Sequence, residues 1–169
     1  MSRQGHPGRP SSRSIVSQRT HASTEAARAW ALATRYTQAR VRSSHDVLTY
    51  LQRHDVPRSL GARTVAACQA QGLIDDHACA QLWAEHWARQ GWAWVAIREK
   101  LLAKGLPAQA IEAASERLGG EAAERLRAQQ FVEQRGSISS HQRRRTARAL
   151  AARGFDAELI EQLVDLSEQ

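Results

Sequence analysis

Two adjacent aspartates, Asp75 and Asp76, are the residues whose type and spacing come closest to a reactive site. Paired carboxylates can act as general acid and base or hold a metal ion. This pair stands directly before a helix-like run, and no second acidic pair lies at a matching spacing. An aspartate at a helix N-cap accepts a backbone N–H, and one in the first turn meets the positive end of the helix dipole. The sequence therefore predicts that both acids begin a helix.

Metal ligation is the second chemistry to consider, because His77, Cys79 and His86 lie close together in the sequence. Their spacing follows neither the C-x-x-C nor the H-E-x-x-H pattern. The chain also lacks a glycine-rich phosphate loop, a nucleophile elbow and a dinucleotide fingerprint. We therefore predict no metal, no cofactor and no catalytic residue, and hence a protein that is not an enzyme.

Charge points to an anionic partner. The 169-residue chain has a formal net charge of +7 and a pI of about 10.6, which suits nucleic acid, an acidic protein surface or anionic lipid. Residues 1–24 carry arginines but no acid and few large apolar residues, so we expect a disordered basic tail there. We find neither a membrane-length apolar run nor a signal-peptide pattern. The two cysteines, Cys68 and Cys79, are then expected to be reduced thiols in a cytoplasmic protein.

Four tryptophans lie within a short stretch of the chain. Trp83 and Trp87 are four residues apart, so they share one helix face and are predicted to be core anchors. Trp92 and Trp94 are two residues apart and cannot share a face. One of these two could be exposed, where it would stack on a nucleic-acid base or form an interface hot spot.

Arginines form two groups. The first is Arg35, Arg40 and Arg42, and the second lies between Gln134 and Phe155, where there is no acid. Arginine binds phosphate and carboxylate bidentately. The second group is therefore either a solvated helix face or a contact surface for a phosphate backbone or an acidic protein.

The elements that must position these residues are predicted to be helices throughout, since no alternating strand pattern occurs. Capping residues and glycines mark helices at about 25–39, 44–54, 58–71, 76–89, 93–104, 108–118, 121–135, 140–153 and 156–167. Three segments are similar: LQRHDVP from Leu51, LLAKGLP from Leu101 and LAARGFD from Leu150. Each has a leucine, a turn residue and then an apolar residue. This periodicity of about 50 residues predicts three tandem three-helix repeats, 25–72, 73–120 and 121–169.

These motifs resemble the RecX regulatory protein family. In the first repeat the resemblance is carried by Arg40, Ser43, Asp46, Val47 and Leu51, with Asp46 in place of the family's usual glutamate. In the second, GLIDDHACA (72–80) resembles the family's g-l-i-D-D-x-x-[FY]-A pattern, with Cys79 replacing the aromatic residue. The same repeat continues with Gly91, Ile97, Leu101, Lys104, Gly105 and Leu106, and the third repeat has the R-G-F of Arg153, Gly154 and Phe155. Ala93 and Trp94 stand where the family usually has Gly-Pro.

The resemblance implies an all-α, elongated and curved array of three-helix repeats without catalytic activity. It also implies binding to the RecA recombinase filament on DNA, mainly as an inhibitor of recombination, ATPase and coprotease activities, with a role in DNA repair and the SOS response. The RecA filament is thus the expected partner, with direct binding to single- or double-stranded DNA as an addition. We also expect that the protein is a monomer and that it does not bind a membrane. The alternative is a stand-alone helical DNA-binding protein that uses its arginine-rich helix.

Two sets of residues follow from these patterns. The predicted contact set for RecA or DNA is Arg35, Arg40, Arg42, Trp92, Trp94, Arg98, Lys104, Arg143, Arg144, Arg145, Arg148 and Arg153. The predicted structural set is Ser43, Asp46, Asp75, Asp76, Gly91, Gly105, Gly154 and Phe155.

Overall fold

The computed structural model describes the backbone of residues 12–135 and 140–165 and the side chains of 21–135 and 142–164. The described residues form helices joined by short turns and contain no strand, which confirms the all-α prediction. The helices are α1 (Ser12–Gln38), α2 (Ser44–Arg53), α3 (Arg58–Ala70), α4 (Asp76–Arg89), α5 (Trp94–Ala103), α6 (Ala108–Arg117), α7 (Gly120–Glu133), α8 (Ser140–Ala151) and α9 (Ala157–Asp165). No described helix is both long and apolar enough to span a membrane.

Helix α1 begins at Ser12, well before the predicted start near residue 25. Residues 12–24, predicted to be a disordered tail, are therefore helical, whereas 1–11 lie outside the described residues. The side chains from His21 to Arg28 are exposed, so burial does not explain this extension. Helix propagation adds one hydrogen bond for each residue fixed once a nucleus exists. The buried Ala29 and Ala33 further along α1 provide such an anchored segment.

One type of turn recurs at the three similar segments. The backbone N–H of Val56 donates to the Leu51 carbonyl at 3.1 Å, and those of Leu106 and Phe155 donate to Leu101 and Leu150 at 3.3 Å. This six-residue closure, with a left-handed residue before the apolar one, is the Schellman ending of a helix. Asp55, Gly105 and Gly154 occupy the left-handed position, with φ of 59°, 69° and 85°. The same closure also ends α3 and α4, where the N–H groups of Leu73 and Trp92 donate to the carbonyls of Cys68 and Trp87. The turn is therefore a general helix ending in this chain, and the division into three repeats remains a prediction.

The chain forms two compact units. Unit 1 comprises the described residues up to Arg40 together with Val47–Leu73. Its buried side chains are mostly small or β-branched, and its largest fully buried residue is Leu51. Tyr36 and Tyr50 stack in this unit with ring centroids 4.0 Å apart and almost parallel planes.

Unit 2 comprises Val41–Asp46 and the described residues from Ile74 onward. Helices α4 and α6 pack closely in it, because alanines at 80, 84, 88, 110 and 114 leave little side chain between them. Ile97, Leu101 and Ile111 complete this cluster. A second cluster surrounds Leu150, Phe155 and Leu163 and includes Ala93 from the turn before α5. Unit 2 therefore contains most of the predicted second and third repeats.

Candidate partner-binding surface

The adjacent aspartates Asp75 and Asp76 are structural. Asp75 is the N-cap of α4, and its carboxylate accepts the backbone N–H groups of His77 and Ala78 at 2.9 and 3.0 Å. Asp76 lies in the first turn of α4 and is buried. Its carboxylate accepts the backbone N–H of Ser44 at 2.8 Å and also the Ser44 hydroxyl. The predicted role in helix initiation is confirmed for the pair, and Asp76 additionally joins the starts of α2 and α4.

The start of α2 has its own reciprocal cap. The Asp46 N–H donates to the Ser43 hydroxyl oxygen at 3.1 Å, and the Ser43 N–H donates to the Asp46 carboxylate at 3.3 Å. This is the arrangement of a capping box, with aspartate as the acidic member. Ser43 is fully buried. The S-x-x-D motif is therefore explained by architecture.

The cysteines in this region are buried free thiols. Burial, together with the negative charges of Asp46 and Asp76 and against the lowering effect of Lys104, raises the pKa of Cys79 to about 11. A thiol with this pKa is protonated at neutral pH and is a poor nucleophile and metal ligand. Among the described residues, no group of three or more His, Cys, Asp or Glu could hold a metal ion.

The most distinctive surface feature of unit 2 is a strip of cations that lie over aromatic rings. Lys104 Nζ is 3.9 Å from the centroid of Trp83, and Lys100 Nζ is 4.0 Å from Trp92 and 5.8 Å from Trp87. The strip continues through two arginines that lie over Phe131. We call this set the cation–aromatic strip; its members are Trp83, Trp87, Trp92, Lys100, Lys104, Phe131, Arg135 and Arg153.

Helices α4 and α5 position the first half of the strip. Trp83 and Trp87 are one helical turn apart on α4, and Lys100 and Lys104 have the same spacing at the end of α5. The later lysine lies over the earlier tryptophan, as expected for neighbouring helices that run in opposite directions. The tryptophan rings are half-buried and pack against the α4–α6 core cluster. Packing therefore holds one side of each ring while the other side supports a cation.

Arg153 connects the two halves. Its guanidinium carbon is 5.6 Å from the centroid of Trp92 and 4.3 Å from that of Phe131, and Arg135 lies 3.9 Å from Phe131. The Arg153 carbonyl accepts the backbone N–H of Ala93 at 3.0 Å, which fixes its backbone beside the turn before α5. Burial lowers the pKa of Arg153, and the nearby positive charge of Arg135 lowers it further. A bound anion would stabilise the charged form of Arg153 and so oppose both of these effects on its pKa.

The strip combines two kinds of recognition. Its lysines and arginines can bind phosphate or carboxylate, and its aromatic faces can stack on bases or on planar side chains. Each cation already lies on a ring, which orients it without neutralising its charge. None of the members defined above is acidic. The surface therefore suits an anionic partner that also carries flat or apolar groups.

Only some of the predicted contact residues belong to this strip, and the others lie elsewhere on the described surface. Trp92, Lys104 and Arg153 belong to the strip. Trp94 instead begins α5, where its backbone N–H donates to the Glu124 carboxylate at 3.2 Å. Arg98 is exposed and lies 3.5 Å from the Glu99 carboxylate.

Helix α8 carries a second basic face. Arg144, Arg145 and Arg148 are exposed and Arg143 is half-buried, whereas Thr146 and Leu150 are buried. The arginines thus cover the outward side of this helix, in agreement with their predicted shared face. In the first predicted group, Arg35 and Arg40 are exposed in unit 1, and Arg42 is half-buried in unit 2.

Sequence reasoning missed part of the strip. Lys100, Phe131 and Arg135 were not in the predicted contact set, and Trp83 and Trp87 were predicted as core anchors only. The anchoring prediction accounts for the buried side of each ring. The two tryptophans and the two lysines share a four-residue spacing on successive helices, but the sequence does not show that these two helices lie side by side.

Fold and surface together define an all-helical protein with capped short helices and a basic, aromatic face. Residues 75–114 match the family model for RecX, described as its second three-helix domain. This segment contains both the aspartate pair and the turn at Gly105.

Solved structures of RecX share the fold. A structure of the regulatory protein RecX superposes with a TM-score of 0.75 at 20 % sequence identity, covering 93 % of this chain and 80 % of that one. RecX from Lactobacillus salivarius gives a TM-score of 0.72 at 14 % identity, covering 86 % and 98 %. No curated protein matches the sequence. The family match and the shared fold confirm the predicted resemblance to the RecX regulatory protein family.

Proposed function

We propose that this chain is a regulator of the RecA recombinase, and that it binds the RecA filament on DNA and mainly inhibits its recombination, ATPase and coprotease activities. The RecX match over residues 75–114 and the shared fold support the general class. The observation that carries the proposal is the cation–aromatic strip, because a nucleoprotein filament presents both phosphates and acidic protein surface. In this role the chain acts in the cytoplasm, together with RecA.

The proposed mechanism is occupation of the filament by many weak contacts. An exposed ion pair contributes only about 0–1 kcal/mol, and a cation–aromatic contact at an exposed site about 0.5–1 kcal/mol. Useful affinity then requires several such contacts at once. The strip meets this requirement because its members come from α4, α5, α7 and the turns after α4, α5, α7 and α8. No catalytic group is needed for inhibition by occupation.

The test is RecA's ATP hydrolysis on single-stranded DNA with sub-stoichiometric amounts of this chain. We expect a progressive fall in the hydrolysis rate, and a much smaller fall with the charge-reversed double variant Lys100→Glu, Lys104→Glu. The matched control reverses Arg58 and Arg63, which are exposed on α3. Equal inhibition by the strip variant and the control, with both shown to be folded, would remove the strip from the proposal. No inhibition by the unmodified chain would reject filament regulation.

The arginines of α8 favour the alternative, a stand-alone DNA-binding protein, because three of them are exposed on one helix. The two functions differ in their requirement for RecA. A stand-alone binder binds bare DNA as tightly as RecA-coated DNA, whereas a filament regulator prefers the coated form. Charge reversal of Arg144, Arg145 and Arg148 should weaken binding to bare DNA most if the alternative holds.

A further inference from the structure

A basic cavity of about 500 Å³ lies beside the strip in unit 2, between the end of α4, helix α7 and Arg153. Its polar lining consists of three arginines and three glutamines: Arg89, Arg127, Arg153, Gln90, Gln130 and Gln134. No acidic side chain is among the described residues that line it. Such a lining offers hydrogen-bond donors and positive charge together.

Two of these arginines are held in place from within the fold. Arg127 donates to the Leu118 carbonyl at 3.4 Å and lies 3.6 Å from the Glu124 carboxylate. Arg153 donates to the Ala149 carbonyl at 3.3 Å. Both guanidinium groups are therefore anchored before any ligand arrives, which lowers the conformational entropy lost on binding.

The same two side chains retain unused hydrogen-bonding capacity. The Nε atoms of Arg127 and Arg153 are buried and have no hydrogen-bond partner within the described structure. Buried donors are normally paired, so unpaired ones require an explanation such as a missing ligand. Burial also lowers the pKa of both guanidinium groups. A bound anion would satisfy donors and offset the unfavourable burial of positive charge.

Phosphate fits this lining better than carboxylate. Guanidinium groups bind phosphate in a bidentate manner, and a phosphate group offers oxygens in several directions. A carboxylate offers two oxygens in one plane, so it reaches fewer of the donors that surround the cavity. The cavity also shares Arg153 and Phe131 with the cation–aromatic strip. A nucleic-acid strand could then place a phosphate in the cavity and its bases along the neighbouring rings.

We propose that this cavity is an oxyanion site that binds a phosphate group, supplied by a nucleic-acid backbone or by a free phosphate or nucleotide. The site goes beyond the proposed regulation of RecA, since it is defined without reference to that partner. Its test contains no RecA, so its failure is distinguishable from failure of the regulatory function.

The experiment measures binding of a fluorescein-labelled oligothymidylate by fluorescence anisotropy at several salt concentrations, and of inorganic phosphate and pyrophosphate by calorimetry. The variants are Arg89→Gln, which removes an exposed cation, and Gln130→Glu, which adds a carboxylate to the exposed part of the lining. Both positions are exposed, and circular dichroism and thermal unfolding check the fold. The matched control is Arg125→Gln, an exposed arginine of α7 outside this cavity.

We expect each variant to weaken binding at least about tenfold, equivalent to about 1.4 kcal/mol, while the control changes it much less. For the oligonucleotide, Arg89→Gln should also lower the slope of log affinity against log salt by about 0.7, the contribution of one phosphate contact to a single strand. Variant-sensitive binding of the oligonucleotide alone assigns the phosphate to a nucleic-acid backbone. Variant-sensitive binding of inorganic phosphate or pyrophosphate assigns it to a free ligand.

Two results would overturn the proposal. One is that neither ligand binds in a manner that depends on Arg89 and Gln130. The other is that a glutamate-rich peptide competes as well as the oligonucleotide and is equally sensitive to the variants, which would make the cavity a carboxylate site for a protein partner.

Discussion

Replacing Asp76 with alanine should destabilise the protein more than replacing its neighbour Asp75. The Asp75 carboxylate is exposed and caps one helix, and loss of a cap costs about 0.5–2 kcal/mol. The Asp76 side chain is buried and accepts two hydrogen bonds from Ser44. Hydrogen bonds to charged groups contribute about 1.5–3 kcal/mol each. Because Ser44 is only half-buried and water can partly replace its partner, we expect a total loss of about 2–4 kcal/mol.

The assay is urea unfolding followed by circular dichroism, with both single variants and the unmodified chain measured together. A double-mutant cycle of Asp76→Ala with Ser44→Ala isolates the side-chain contact, and we expect a coupling of about 1 kcal/mol. The reasoning is refuted if Asp76→Ala costs no more than Asp75→Ala. It is equally refuted if the coupling to Ser44 is within error of zero, since the buried bridge would then contribute nothing.

Three further predictions concern other parts of the described structure. Gly105→Ala should lower the free energy of unfolding in urea more than Gly72→Ala. Both positions have φ of 69°, but only a methyl group added at Gly105 would meet a side chain, that of His45. Equal losses for the two variants would contradict this contact. Alkylation of Cys79 by iodoacetamide should be slow in the folded protein at pH 8, and its rate should increase as the pH rises toward the raised pKa of about 11. Fast labelling at pH 8 without unfolding would contradict the burial of this thiol. Lys100→Ala should lower stability by about 0.5–1 kcal/mol in thermal unfolding through loss of its cation–aromatic contacts, and an unchanged melting temperature would show that these contacts contribute no stability.

Helix boundaries were largely readable from local signals. The predicted helix 58–71 is observed as Arg58–Ala70, and 108–118 is observed as Ala108–Arg117. Both follow a proline, and such signals act within one or two residues of the helix end. The start of α1 was predicted poorly because the polar and basic composition of residues 12–24 is also typical of a disordered tail. Its exposed first turns continue a helix whose anchor lies further along the chain.

Most of the candidate site could not be predicted from local sequence patterns. Trp92, Lys104 and Arg153 were predicted as contacts from their residue types, but Lys100 and Phe131 were not. Their significance depends on which helix lies beside which, and no spacing along one helix contains that information. The oxyanion cavity is a clearer case, because Arg89, Arg127 and Arg153 come from three separate places in the sequence.

The amino-acid sequence alone determined the all-helical class, the Asp75 cap, the recurring turns before Val56, Leu106 and Phe155, and the resemblance to RecX. These features depend on dihedral preferences and hydrogen bonds between residues close in sequence, so residue type is sufficient to predict them. Only the tertiary structure decided that Asp76 bonds Ser44, that cations lie over the tryptophans, and that three distant arginines share a cavity. Those contacts join residues that are far apart in the sequence and belong to different helices, so their geometry exists only once the helices have packed.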